Sequence, residues 1–567
     1  MTIRETPLSI REHPPEHAAR PPGPPGWSIA VAGAVVVLAM VALVVTRSSD
    51  PPTPAASTVS TEIAEPATGP RGTTPTEVVP VADATAPWTR AAVIDAPAGV
   101  VARSDQGFIL AAPAPPVPGS GEVTVRTSTD GLRWSDPTVL GDGPGRVVGL
   151  VTTGERAWVL VARRSPGTIQ ETIEVWAADG GTWSMSPLPR GGLGDDEVRR
   201  VSGVGSFRGE LVVATATVPS VAALAYPRLP EPARRFLIDH PLAWIDLVGD
   251  DIAIGYPLVG TIARFEPSSL GIDPRRLPGM VTVETVRRTL FVGDRILDAD
   301  RLPRWNLQFA ERIDPATGEP MLVAAGDGET SPIVATSLDA ESWERSLLPS
   351  SPLLLEDGSI LRMSDVGDGR ARIERGFPGD EWVPIAEMDV PSPSWFPQAS
   401  TLTADTIAVV LSTIPDELPP PSAAIATDNG TVVALDGDAL VVTPPDGSSF
   451  RPRAYGDLLP DAADLDRASI SLTDPDDPSR SVTISFRALD ALLDILRSDP
   501  SSTNLAVTIS SDTATVTELS PGVPTSATSG HGAVIVAVDD LDVGAPRTFL
   551  WRLAAHTVDR SNGDPGG

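Results

Sequence analysis

Short bursts of apolar residues recur along most of this chain. "GFILAAP" (Gly107–Pro113), "RAWVLVARR" (Arg156–Arg164) and "TIEVWAAD" (Thr172–Asp179) are runs of strand length bounded by turn formers. A continuous apolar run marks a strand covered on both faces, whereas alternation, as in "EVTVRTS" (Glu122–Ser128), marks one with a wetter side. From Trp88 to Thr557 the theme of strand, turn and strand returns with a period of about 50 residues, which suits a four-stranded propeller blade. Units fall near 96–140, 146–189, 199–306, 307–349, 352–388, 394–519 and 522–556. The predicted fold class is therefore all-β, a seven-bladed β-propeller spanning 88–557.

The last unit supplies "HGAVIVAVDD" and "TFLWRLAAH" but no fourth strand, while "PWTRAAVI" (Pro87–Ile94) reads as a fourth strand with no blade before it. Pairing Trp88–Ile94 with Thr548–Ala554 would close the ring and remove two sheet edges. Two units are too long, each between its second and third strands, which predicts α/β inserts at about 217–285 and 417–500 on one face. "WIDLVGDDIAIGYP" (Trp244–Pro257) aligns without gaps with "VVALDGDALVVTPP" (Val432–Pro445). The inserts also hold the helical signals: "EPARRFLIDH", and "FRALDALLDILR" with Leu489, Leu492, Leu493 and Leu496 on one stripe. Each helix is expected to pack on its own blade, the alternative being a helix that binds a partner, with the inserts on blades three and six, nearly opposite one another.

One turn repeats: "TSTDGLRW" (Thr127–Trp134), "WAADGGTW" (Trp176–Trp183) and "TSLDAESW" (Thr336–Trp343). The carboxylates of Asp130, Asp179 and Asp339 suit a turn in which the side chain accepts from the backbone two residues on. Gly131 and Gly180 supply positive φ, Ser128 and Ser337 a hydroxyl, and Trp134, Trp183 and Trp343 a large ring to bury between sheets. Ser510 and Asp512 in "SSDTATV" form a weaker fourth copy with Val516 in the Trp position. The pattern resembles the Asp-box, or BNR repeat, S-x-D-x-G-x-x-W, of sialidase-like β-propellers. Here Gly follows Asp directly, and Ala340 replaces it in the third copy. The resemblance implies a propeller whose boxes are structural and lie on the face away from a ligand site.

Upstream, "WSIAVAGAVVVLAMVALVVTR" (Trp27–Arg47) is long enough for one membrane-spanning helix, 27–47, the alternative being a cleaved signal peptide, whose apolar core is usually shorter. Arg4, Arg11 and Arg20 before it, against Arg47 and Arg71 after it, favour a cytoplasmic N-terminus and an extracytoplasmic propeller. Residues 1–26 read as a short disordered tail, 48–87 as a Pro/Thr-rich disordered stalk and 558–567 as a disordered C-terminal tail. The net charge of −31 argues against nucleic acid as a partner. The chain has no Cys and every basic residue is Arg, which excludes thiol and Schiff-base mechanisms.

His240, His531 and His556 form no metal-like pair, and the Asp-rich stretches Asp461–Arg467 and Asp474–Arg480 lack the spacing of a calcium loop. A sialidase needs a Tyr nucleophile and an arginine triad, yet Tyr226, Tyr256 and Tyr455 match no family motif and F-R-I-P is absent. No catalytic, cofactor or metal residue is expected. The expected role is a membrane-anchored, extracytoplasmic binding module for a cell-envelope protein or glycan. The alternative is a carbohydrate-active hydrolase or lyase using carboxylates at the propeller centre.

Overall fold

The computed structural model describes residues 88–554 apart from short internal stretches, the longest being 453–468. All of them belong to one unit, Ile63–Gly567. The segment Trp27–Arg47, the tails and the stalk lie outside the described residues, as do His531, His556 and Tyr455. Among the described residues no helix is long and apolar enough to cross a membrane.

Seven antiparallel sheets of four strands carry the described chain, with three smaller sheets in the inserts. In chain order, sheet 1 spans Val100 to Leu140, sheet 2 Gly145 to Pro187 and sheet 3 Glu197 to Asp298. Sheet 4 spans Trp305 to Leu347, sheet 5 Pro352 to Asp389 and sheet 6 Ser394 to Glu518. Sheet 7 combines Val523 to Ala554 with the early strand Trp88–Ile94. That early strand pairs antiparallel with Arg547–Ala554 in the register Trp88↔Leu553 to Ile94↔Thr548, so the first and last described strands share one sheet.

The order of burial explains the apolar runs. Every residue of Gly107–Pro113 is buried, as are the seven inner residues of Arg156–Arg164, because these second strands have a neighbouring sheet against each face. Fourth strands such as Thr182–Pro187 and Glu344–Leu347 are mostly exposed and polar. Seven apolar clusters are each shared by two consecutive sheets, from Ile109, Val125, Val159 and Val161 between sheets 1 and 2 to Ile94, Phe108, Ile535 and Leu550 between sheets 7 and 1. The first strand of each sheet likewise touches the first strand of the next, and the series returns to its start. A cycle of face-to-face sheets is a β-propeller.

Crowding is greatest where first strands meet. A Cβ built on Gly205 would lie 2.4 Å from Phe309 Cβ on the next sheet, so glycine is needed there for space rather than for φ. Buried arginines tie down the connections between sheets. Arg163 donates to the Leu140 carbonyl at 2.7 Å, Arg199 to the Pro189 carbonyl at 2.5 Å and Arg288 to the Leu302 carbonyl at 2.8 Å. Burial lowers the pKa of Arg199 and Arg288, and backbone carbonyls accept hydrogen bonds from both guanidiniums.

The long excursions leave sheets 3 and 6 between their second and third strands, from Pro219 to Arg287 and from Ile414 to Thr503. The first holds helices α1 (Val221–Ala225) and α2 (Glu231–Asp239) and a sheet of Trp244–Val248, Asp251–Tyr256 and Gly260–Phe265. The second holds a sheet of Ser422–Ala426, Val432–Asp436 and Ala439–Thr443, a hairpin of Ser469–Thr473 and Ser481–Ser485, and helix α3 (Phe486–Arg497). Each insert thus contains a three-stranded antiparallel sheet, and the two aligned sequence segments occupy neighbouring strand pairs in them.

Candidate functional site

The inserts do not sit apart. Phe236, Leu237, Ile254, Tyr256 and Ile262 of the first pack into one core with Val433, Leu440, Val442, Phe486, Leu489 and Leu492 of the second. This corrects the expectation that each helix packs on its own blade. α3 lies against Ser422–Ala426 and Ser481–Ser485 of its own insert and buries Leu489 and Leu492 in the shared core. The side chains of Leu493 and Leu496 lie outside the described residues. The physical reason is area: neither three-stranded sheet can cover both of its faces alone, and together they exclude water from one continuous interior.

A polar contact crosses that interior. Asp490 on α3 accepts from His240 Nδ1 at 2.9 Å and from the Tyr256 hydroxyl, joining residues 250 and 234 positions away. The carboxylate accepts only, which places the His240 proton on Nδ1. His240 follows α2 directly and is 6% exposed, with its ring centroid 4.7 Å from Phe236 and 5.4 Å from Phe486. Tyr256 is fully buried and meets Phe486 edge-on at 5.1 Å. Both tyrosines of the first insert are core residues, and the Tyr256 hydroxyl is engaged by Asp490.

At the opposite end of the sheets are the turns singled out in the sequence. Connections from third to fourth strand and from second to third leave an antiparallel sheet at opposite ends, so these turns and the inserts are separated by the strand length. Ser128 Oγ donates to Asp130 Oδ1 at 3.2 Å and accepts from Gly131 N at 2.8 Å. Asp130 Oδ1 also accepts from Leu132 N at 2.8 Å and Arg133 N at 3.1 Å. Asp339 repeats the arrangement with Glu341 N at 2.8 Å, Ser342 N at 2.7 Å and Ser337 Oγ at 2.9 Å.

These donors hold both carboxyls below the usual carboxylate range, led by the Leu132 amide at Asp130 and the Ser342 amide at Asp339. Gly131 has φ +75° and Ala340 φ +64°, so the same left-handed position is filled by a glycine once and by an alanine once. Trp343 is buried between sheets 3 and 4 and donates to the Ala340 carbonyl at 3.1 Å. Trp134 packs at the junction of sheets 7 and 1, and Trp183 at that of sheets 1 and 2. Gly180, Asp512 and the side chain of Asp179 lie outside the described residues, while Ser510 ends the strand Thr503–Ser510.

Three carboxylates at the insert end of sheets 2 and 3 are ion-paired. Glu174 takes Arg163 at 3.1 Å, Glu197 takes Arg287 at 2.6 Å and Glu171 takes Arg146 at 3.2 Å. Asp474, in one of the acidic stretches, is paired with Arg480 at 3.1 Å, and Asp461–Arg467 lies outside the described residues. Among the described residues no group of three or more His, Asp or Glu side chains is arranged to hold a metal ion.

Fold and insert module together define the class: a β-propeller carrying a bipartite module on one end of its sheets. No protein-family model and no curated protein sequence matches the chain. Among solved structures it is similar to a phage phi92 endosialidase at 11% identity and a TM-score of 0.32, covering 84% of this chain and 70% of that one. It is similar to YCF48 bound to D1 peptide at 11% identity and a TM-score of 0.28, covering 78% and 98%. A Penicillium chrysogenum alpha-L-arabinanase complexed with arabinobiose gives 12% identity and a TM-score of 0.26, covering 60% and 93%. Likeness of this size assigns neither a family nor a function.

Proposed function

We propose that this protein is a membrane-anchored, extracytoplasmic binding module of the cell envelope, built as a seven-bladed propeller with Asp-box turns at one end and a partner-binding module at the other. The observation that carries the reading is the fusion of two inserts, some two hundred residues apart in the chain, into one buried core. Such a module is costly to order, and it stands where a propeller commonly presents ligand-binding loops. Glycoside hydrolysis needs one carboxyl to donate a proton and another to attack or to activate water, and Glu171, Glu174 and Glu197 are each held in an ion pair with arginine. The segment 27–47 would hold the propeller at the membrane, with residues 48–87 as its stalk.

The test is capture of envelope protein or glycan by the full-length protein, compared with a variant in which 220–286 and 415–502 are both replaced by short turns. Removing both inserts leaves no half of their shared core exposed. Capture that depends on the inserts is the expected result. Equal capture by the variant would overturn the reading, and glycan hydrolysis that survives the deletion would favour a hydrolase centred on the ring.

A further inference from the structure

In a chain of net charge −31, several arginines gather at one end of sheets 2 and 3. The second residue of Gly145–Thr153, the last of Arg156–Arg164 and the fourth of Glu197–Phe207 are Arg146, Arg164 and Arg200, at the end of sheets 2 and 3 from which the first insert departs. Among the described residues, Glu171 is the carboxylate that pairs with two of these arginines. It pairs with Arg146 at 3.2 Å and Arg164 at 3.9 Å, and its charge reaches Arg200. Arg200 is exposed and makes no ion pair with a described residue.

The first insert adds the remaining wall. Tyr226, 3% exposed, lies within the fields of Arg234 and Arg164, and its hydroxyl is buried without a hydrogen-bond partner among the described residues. Arg234, on α2, has a buried Nε that is likewise unpartnered and no ion pair to a described residue. Burial pushes the Tyr226 phenol pKa up and the two arginines pull it down, so at neutral pH it remains a donor. Buried donors left without acceptors are costly in a folded protein, typically about 1–3 kcal/mol each, and call for an explanation.

We infer that Arg146, Arg164, Arg200, Arg234 and Tyr226, with Glu171 as spacer, form a binding site for a phosphomonoester group at the junction of sheets 2 and 3 with the first insert. This rests on the proposed binding role and names the chemistry of the ligand. Among the described residues, four guanidiniums against the Glu171 carboxylate leave an excess of positive charge that suits a dianion. The donors come from sheet 2, sheet 3 and the insert, and three terminal oxygens offer acceptors in more directions than the two of a carboxylate. An acceptor placed among them also resolves the two orphaned donors.

The experiment is calorimetric titration of the full-length protein with inorganic phosphate at constant ionic strength, with sulfate and acetate as parallel arms. Saturable phosphate binding is expected, with weaker sulfate and no acetate binding. R200Q and R234Q should each weaken phosphate at least about tenfold, and Y226F less, as for loss of one neutral donor. R133Q, at the far end of the sheets, should change nothing. R200Q alters an exposed side chain, so it keeps the test valid if R234Q or Y226F fails to fold. No saturable phosphate binding, unchanged binding in R200Q, or acetate or sulfate matching phosphate would overturn the assignment. Because the titration needs no macromolecular partner, its failure is distinct from a failure of insert-dependent capture.

Discussion

Substituting Asp490 by Ala isolates the contact that joins the two inserts. The carboxylate accepts from His240 at 2.9 Å and from Tyr256, both of which are almost wholly buried. A hydrogen bond to a charged acceptor contributes about 1.5–3 kcal/mol, and deleting one partner in a core adds the desolvation of the donor left behind. The Asp490 side chain is 26% exposed, so water can reach part of the vacated space and offset some of the loss. The expected cost is about 2–4 kcal/mol for D490A and about 1 kcal/mol for D490N, which retains one acceptor.

The assay is hydrogen exchange combined with urea unfolding of the full-length protein. Protection should fall in Asp251–Tyr256, Ala439–Thr443 and α3, while Gly107–Pro113 in sheet 1 stays protected. A double-mutant cycle with His240→Ala should show coupling of about 1 kcal/mol or more. A cost for D490A below about 0.5 kcal/mol, or protection lost equally in sheet 1, would refute the view that this contact joins the inserts specifically.

Other consequences follow from single positions. G205A would push a Cβ to 2.4 Å from Phe309 and should cost about 1–3 kcal/mol in urea unfolding, because backbone in the ring interior cannot retreat. W343A empties a buried site between sheets 3 and 4 and should cost about 3–5 kcal/mol, with loss of its contribution to tryptophan fluorescence. The Asp339 carboxyl has its folded pKa depressed, chiefly by the Ser342 amide, so its stabilisation is complete above the unfolded value of about 3.9 and is lost as pH falls through the folded value. D339N keeps an acceptor without a titrating proton, and its acid unfolding curve should be shallower than wild type below about pH 4, whereas parallel curves would contradict this.

The repeated turn was legible because it is local. Asp130 reaches amides two and three residues on, and Ser128 an amide three residues on, so a pattern in the sequence maps directly onto hydrogen bonds. The pairing of Trp88–Ile94 with Arg547–Ala554 was legible for another reason: an orphan strand at each end left one way to complete a sheet. The two inserts announced themselves by length and by similar segments, but nothing in either one named the other as its partner. The arginine site was hidden as well, since arginines are frequent throughout and Arg146, Arg164, Arg200 and Arg234 follow no shared spacing.

Sequence by itself determined the elements: strands from apolar runs, turns from Asp, Gly and Ser, excursions from broken periodicity. Those depend on interactions over a few residues, where chain connectivity already holds the partners close. Only the tertiary structure decided that the excursions from sheets 3 and 6 share a core, that Asp490 receives His240 and Tyr256 across it, and that Arg164 and Arg234 come near Tyr226. Hydrophobic burial carries no direction or address, so its partners are chosen by which apolar faces remain uncovered once the ring has closed.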